Sequence, residues 1–96
     1  MINLSLVDWS LVVEGMECGG DSTWKGSQDN AGKCADECRG ISFMFSYSSL
    51  HKDCFCEIPA TEDGTCGSAG LVSARTYNLY KYLSADTTPD KGIFCI

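Results

Sequence analysis

Ninety-six residues suffice for one small domain and are too few for two independent cores. Apolar content of 44% beside 21% charged residues argues against a disordered chain. Thirteen acidic and seven basic residues give a net charge of −6, which argues against an electrostatic nucleic-acid binder and a peripheral protein of anionic membranes, since both need a basic face.

The opening segment MINLSLVDWSLVVEG carries the first apolar and β-branched density, from Leu4 to Val13, and reads as one strand, or two broken near Asp8. It lacks a basic n-region and a small-residue cleavage site, and Asp8 and Glu14 interrupt it, so it is not read as a signal peptide. No stretch approaches the roughly 18 to 20 apolar residues of a membrane span, so no membrane insertion is expected. Gly15 to Gly26 reads as a turn-rich stretch holding Cys18 and Trp24. Asp29 to Arg39 is the one convincing helix: Asp29 or Asn30 can cap it, and Gly40 stands where a left-handed residue is wanted. Its inward stripe by spacing is Ala31, Cys34, Ala35 and Cys38.

Ile41 to Tyr47 alternates, with Ile41, Phe43, Phe45 and Tyr47 expected on one core face. Ser48 to Asp53 reads as a turn, and Cys54 to Ile58 returns as the antiparallel neighbour, ended by Pro59. Ala60 to Gly70 is a loop around Cys66, and Leu71 to Leu83 holds the last strand. Beyond Ser84 the composition becomes linker-like before the apolar tip Ile93 to Ile96. The expected organisation is an N-terminal extended segment (1–8), a module (9–83) and a tail (84–96).

Seven cysteines are the strongest signal. Cys34 and Cys38 form CxxxC on a helix, and Cys54 and Cys56 form CxC on a strand; each spacing matches the period of its own element and puts both sulfurs on one face. A helix lying across a sheet can meet both at once. The nested solution, Cys38 with Cys54 and Cys34 with Cys56, closes loops of about 15 and 21 residues, each worth roughly 3 kcal/mol in the chain-entropy model. Spacing leaves the swapped pairing open. Cys18 and Cys66, in flanking loops, then form a third bridge, and Cys95 is left unpaired or intermolecular. Bridges of this kind persist in an oxidising compartment, so an extracellular location is expected. Zinc prefers CxxC knuckles, and redox catalysis wants CxxC at a helix N-terminus; neither occurs, so no metal is expected.

These residues resemble the PAN/apple superfamily of secreted adhesion modules. The resemblance is carried by Cys18, KCADECRG with Cys34 and Cys38, the aromatic strand ISFMFSY, CFCE with Cys54 and Cys56, and the closing strand TYNLYKY; it runs from about Trp9 to Leu83. The chain departs from the apple pattern in its CxC doubling and in Cys95 beyond the linker-like run. WSC modules are a weaker likeness, sharing a CxxxC, an aromatic strand and a CYC-like segment; of their later CGG only Cys66-Gly67 remains. The apple resemblance implies a small disulfide-stapled α+β domain, one helix packed on an antiparallel sheet and tied to it by disulfides. It also implies a non-catalytic module without cofactor, binding protein or carbohydrate partners.

His51, the only histidine, sits in the turn Leu50–Asp53 with no nucleophile placed beside it, so no catalytic residue is assigned. The carboxylates Asp21, Asp29, Asp36, Glu37, Asp86 and Asp90 follow no calcium-loop spacing. Most aromatic residues are expected in the core; Trp24, in a polar loop, is a candidate ligand contact, as are His51 and Lys52 in the turn Leu50–Asp53. Asn3-Leu4-Ser5 is an N-glycosylation sequon, and Thr87 and Thr88 before Pro89 are candidate O-glycosylation sites. The extended start and the apolar, cysteine-bearing tip also suit an alternative: a structural subunit of an extracellular fibre, polymerising with copies of itself through its ends.

Overall fold

The computed structural model of the chain describes residues 8–83. Five strands and one helix follow in the order β1 (Trp9–Cys18), β2 (Ser22–Ser27), α1 (Ala31–Cys38), β3 (Met44–Ser48), β4 (Asp53–Glu57) and β5 (Leu71–Tyr82). They build one antiparallel sheet of spatial order β1-β5-β3-β4-β2 with α1 packed on one face. This is a small disulfide-rich α+β domain. No helix among the described residues is long and apolar enough to cross a membrane.

The helix starts where Asn30 accepts a hydrogen bond from the Lys33 amide at 2.9 Å, satisfying an otherwise orphan donor. It ends at Cys38 because Gly40 takes φ +82°, a conformation that costs glycine little. The helix is therefore shorter at both ends than the Asp29–Arg39 expected. Its inward stripe is fully buried at Cys34, Ala35 and Cys38, with Ala31 partly buried beside them. Against it pack Phe45 and Tyr47 of β3 and Cys54 and Cys56 of β4. Phe45 is the centre: its ring is stacked on Tyr80 at 5.1 Å, edge-on to Trp9 at 5.8 Å and tilted against Tyr82 at 5.4 Å.

The bridges join Cys18 to Cys66, Cys34 to Cys54 and Cys38 to Cys56. The nested pairing Cys34–Cys56 and Cys38–Cys54 is thus corrected to the swapped one. Sequence separations of 20 and 18 differ too little from the nested ones for loop entropy to decide. Direction decides instead. The helix places its first cysteine over the first cysteine of β4, whereas nesting requires the two elements to run in opposite senses. The rejected partners Cys38 and Cys54 still lie close, with sulfurs 4.0 Å apart.

Two further expectations change. The stretch 15–26 is mostly strand: β1 runs on to Cys18, and β2 pairs with the free side of β4, so tertiary pairing overrides a polar, glycine-bearing composition. Of the density from Leu4 to Val13, Trp9 onward is strand; residues 1–7 lie outside the described part. Ile41 and Phe43 are exposed at 48% and 52%, because the Ile41 and Ser42 amides bond back to the Cys38 carbonyl and hold residues 40–43 in a turn. Core alternation starts only at Met44.

Part of the reverse face of the sheet is also covered. Opposite residues share a face, so the register sets Val13, Leu79, Ser46, Phe55 and Trp24 in one row across all five strands. Behind it, Cys18, Cys66, Met44 and Leu79 form a second buried cluster, flanked by Val13 and Ala60. Strand β1 reaches this cluster by way of two irregularities, between Leu11 and Val13 and between Glu14 and Met16, which let the ribbon it forms with β5 curl. At the second, Gly15 has φ +73° and its amide donates to the Asn78 side chain at 3.2 Å.

Candidate functional site

The turn that displaces Ile41 and Phe43 makes a groove of about 430 Å³ at one end of the sheet. Arg39 and Gly40 leave α1 along one wall, Ile41, Ser42 and Phe43 form its floor, and Ile58, Ala60, Tyr82 and Leu83 close it. Ile41, Phe43, Ile58 and Leu83 are each between 45% and 52% exposed, so four large apolar side chains face solvent round one hollow. Scattered apolar exposure is ordinary on a protein surface; convergence on one concavity makes this groove the candidate site.

The polar part of the groove is held in place. Arg39 pairs with Asp8, and its second terminal nitrogen lies 3.4 Å from Asp36. The guanidinium rests over the Tyr82 ring, 5.2 Å from its centroid. The hydrogen bond to Asp8 raises the Arg39 pKa further, so the group is a permanent cation. Tyr82 donates its hydroxyl to the Ala35 carbonyl, and burial pushes its phenol well above the usual range. The backbone is fixed as well: the Tyr82 amide donates to the Phe43 carbonyl at 3.2 Å and the Leu83 amide to the Asp8 carbonyl at 2.8 Å.

A second surface lies on the reverse face. Trp24, 60% exposed on the edge strand β2, stands opposite Phe55, whose ring is 5.9 Å from that of Tyr77. Tyr77 donates to Asp53 at 3.0 Å; burial first, then that carboxylate, raise its phenol pKa to about 12. The three aromatic side chains and Asp53 make a fixed platform with an acceptor at its side.

The candidate contacts Trp24, His51 and Lys52 divide accordingly. Trp24 belongs to the platform. His51 is exposed in the β3–β4 turn, its amide bonded to the Ser48 hydroxyl at 3.1 Å. Lys52 adopts φ 64°, and its ammonium lies 3.4 Å from the Asp29 carbonyl, so it braces the turn against the helix entry. No hydrogen bond among the described residues links either one to Trp24. Asn3, Thr87, Thr88 and Cys95 lie outside the described residues.

The sulfurs of Cys34, Cys38 and Cys54 lie within 4.8 Å of one another, all buried. Each is committed to a disulfide, and a disulfide sulfur offers no thiolate to a metal. Arg39 and Tyr82 stood in the quoted motifs KCADECRG and TYNLYKY, and Ile58 at the end of a predicted strand, but nothing singled any of them out as a site residue. The signal for the groove was the helix stop at Gly40, after which alternation need not start at once. Compared with known proteins, the chain matches no family model, no curated protein and no solved structure.

Proposed function

We propose that the chain is a secreted, non-catalytic PAN/apple-like adhesion module that holds a protein partner in the groove between Arg39, Phe43 and Ile58. The convergence of four half-exposed apolar side chains beside a stacked arginine carries this reading. Covering a half-exposed Phe or Ile gains roughly 1 kcal/mol, and aromatic and arginine anchors dominate protein interfaces. The pinned backbone and ion pair lower the ordering cost of binding. Three disulfides are consistent with an oxidising extracellular setting.

The test is binding of the immobilised domain to extracellular and cell-surface proteins, repeated with Phe43→Ser and Ile58→Ser. Loss of binding by at least tenfold with an unchanged fold is expected. Binding that survives both substitutions sinks the groove reading.

A carbohydrate partner is the second reading, favoured by the Trp24–Phe55–Tyr77 platform, since sugar rings stack on aromatic faces while a carboxylate such as Asp53 accepts their hydroxyls. A glycan array compared with Trp24→Ala distinguishes it. The fibre-subunit alternative rests on terminal segments outside the described residues; β1 is an edge of the sheet with Leu11 and Val12 exposed, which suits strand addition.

A further inference from the structure

Alternation in Cys54–Glu57 turns Cys54 and Cys56 to the helix and sends Phe55 and Glu57 to the reverse face, where a glutamate is normally solvated. Here the second cluster covers it. Glu57 is wholly buried, neither of its carboxylate oxygens has a hydrogen-bond partner, and the neighbouring Ser46 hydroxyl is buried and unpartnered too. An ionised carboxylate sealed this way carries a desolvation cost that a neutral acid escapes.

We propose that Glu57 is a proton-binding site that latches the Glu17–Cys18 end of β1 and the Asp21–Ser22 entry of β2 onto β4 in acid, and loosens that seam above neutral pH.

The groups around the carboxyl are named by the strands that pack there. Glu17 of β1 repels the ionised form; its own pKa is raised by burial. From β2 and β3 the cross-strand neighbours are Ser22 and Met44, neither charged. Lys81 of β5 is in line with Met44, but its stem runs against Gly64, where an added Cβ would meet Lys81 Cδ at 2.6 Å. Asp53 and Tyr77, on the same face, are bonded to each other. No cation therefore compensates Glu57 among the described residues. Burial first, reinforced by Glu17, raises its pKa from the ordinary 4.5 to about 7, against the weaker pull of the nearby Ser46 hydroxyl and Cys18 amide, neither of which sits in hydrogen-bond geometry to the carboxyl.

The sign follows. A carboxyl raised in the fold binds more protons folded than unfolded, so its stabilisation is complete below about 4.5 and is lost as pH rises through about 7. The Cys18–Cys66 bridge keeps β1 tethered, so the loss appears as local opening. Two backbone bonds report on the seam: Ile58 amide to Asp21 carbonyl, 3.2 Å, and Gly19 amide to Gly70 carbonyl, 2.9 Å.

The experiment is a carbon-13 titration of the Glu57 carboxyl by NMR, with amide exchange at Gly19 and Ile58 corrected for the intrinsic pH dependence. A midpoint near 7, with protection falling about tenfold or more from pH 5 to pH 8 in the native chain and staying flat in Glu57→Gln, is expected. A midpoint near 4.5, or equal loosening in Glu57→Gln, overturns the proposal. Should Glu57→Gln not fold, the native carboxyl midpoint alone decides.

Discussion

Arg39 rests on Tyr82, its guanidinium carbon 5.2 Å from the ring centroid, while the Tyr82 hydroxyl reaches back to the Ala35 carbonyl inside the helix. The last turn of α1 and the end of β5 are thereby clamped together beside the groove. Arg39→Ala removes two exposed ion pairs, to Asp8 and Asp36, and a cation–π contact, together worth up to about 2 kcal/mol because exposed pairs contribute little. Unfolding in urea should show a loss of no more than about 2 kcal/mol, while partner binding falls much further. A loss of stability as large as the loss of binding energy would make Arg39 a purely structural residue.

Phe45 is fully buried among Trp9, Tyr80, Tyr82 and the helix. Phe45→Ala should cost about 3 to 5 kcal/mol, because the disulfides prevent the layers from collapsing into the void. Near-ultraviolet circular dichroism should lose the Trp9 and Tyr80 signal. Retention of that signal with native stability would refute the aromatic cluster as the centre of the core.

Peptide mapping under non-reducing conditions, with cleavage at Phe55 to separate Cys54 from Cys56 and at Asp36 or Glu37 to separate Cys34 from Cys38, should recover Cys34 with Cys54 and Cys38 with Cys56. Replacing Cys38 and Cys56 together by serine should cost about 2 to 5 kcal/mol. The nested fragments would instead show that the helix crosses β4 in the opposite sense.

In alkali, Tyr77 should ionise late. Its phenol is raised to about 12 by burial and then by Asp53, so the free energy linked to it is complete below about 10 and is lost as pH rises towards 12. Absorbance at the phenolate band should show Tyr77 among the last phenols to titrate, and Asp53→Asn should advance it. An unchanged titration in Asp53→Asn would remove the hydrogen bond from the account.

Local signals made much of this domain legible. The cap at Asn30, the stop at Gly40 and the stripe of Cys34, Ala35 and Cys38 are written within a dozen residues, and so is the facing of Cys54 and Cys56. The rest depends on partners distant in the chain. Nothing in Ser22–Ser27 says strand until β4 offers its free edge. Cysteine spacing fixes which faces meet and leaves the direction of crossing open, which is where the nested pairing failed. The burial of Glu57 was not legible, because alternation cannot reveal that the β1–β5 ribbon curls over the second face. Of the groove, only the glycine that ends the helix was visible in advance.

The amide of Leu83 bonded to the carbonyl of Asp8 puts the entrance and the exit of the domain side by side. A unit with this geometry can be spliced into a surface loop of another protein as a closed lobe, without stretching its host. It can equally be rewired: a short peptide joining 83 to 8, with new ends opened in the turn at 49–52, should preserve every strand pair and all three bridges. The groove would then stand at the joint and the His51 turn at the free ends, so presentation of the binding face could be reversed at will.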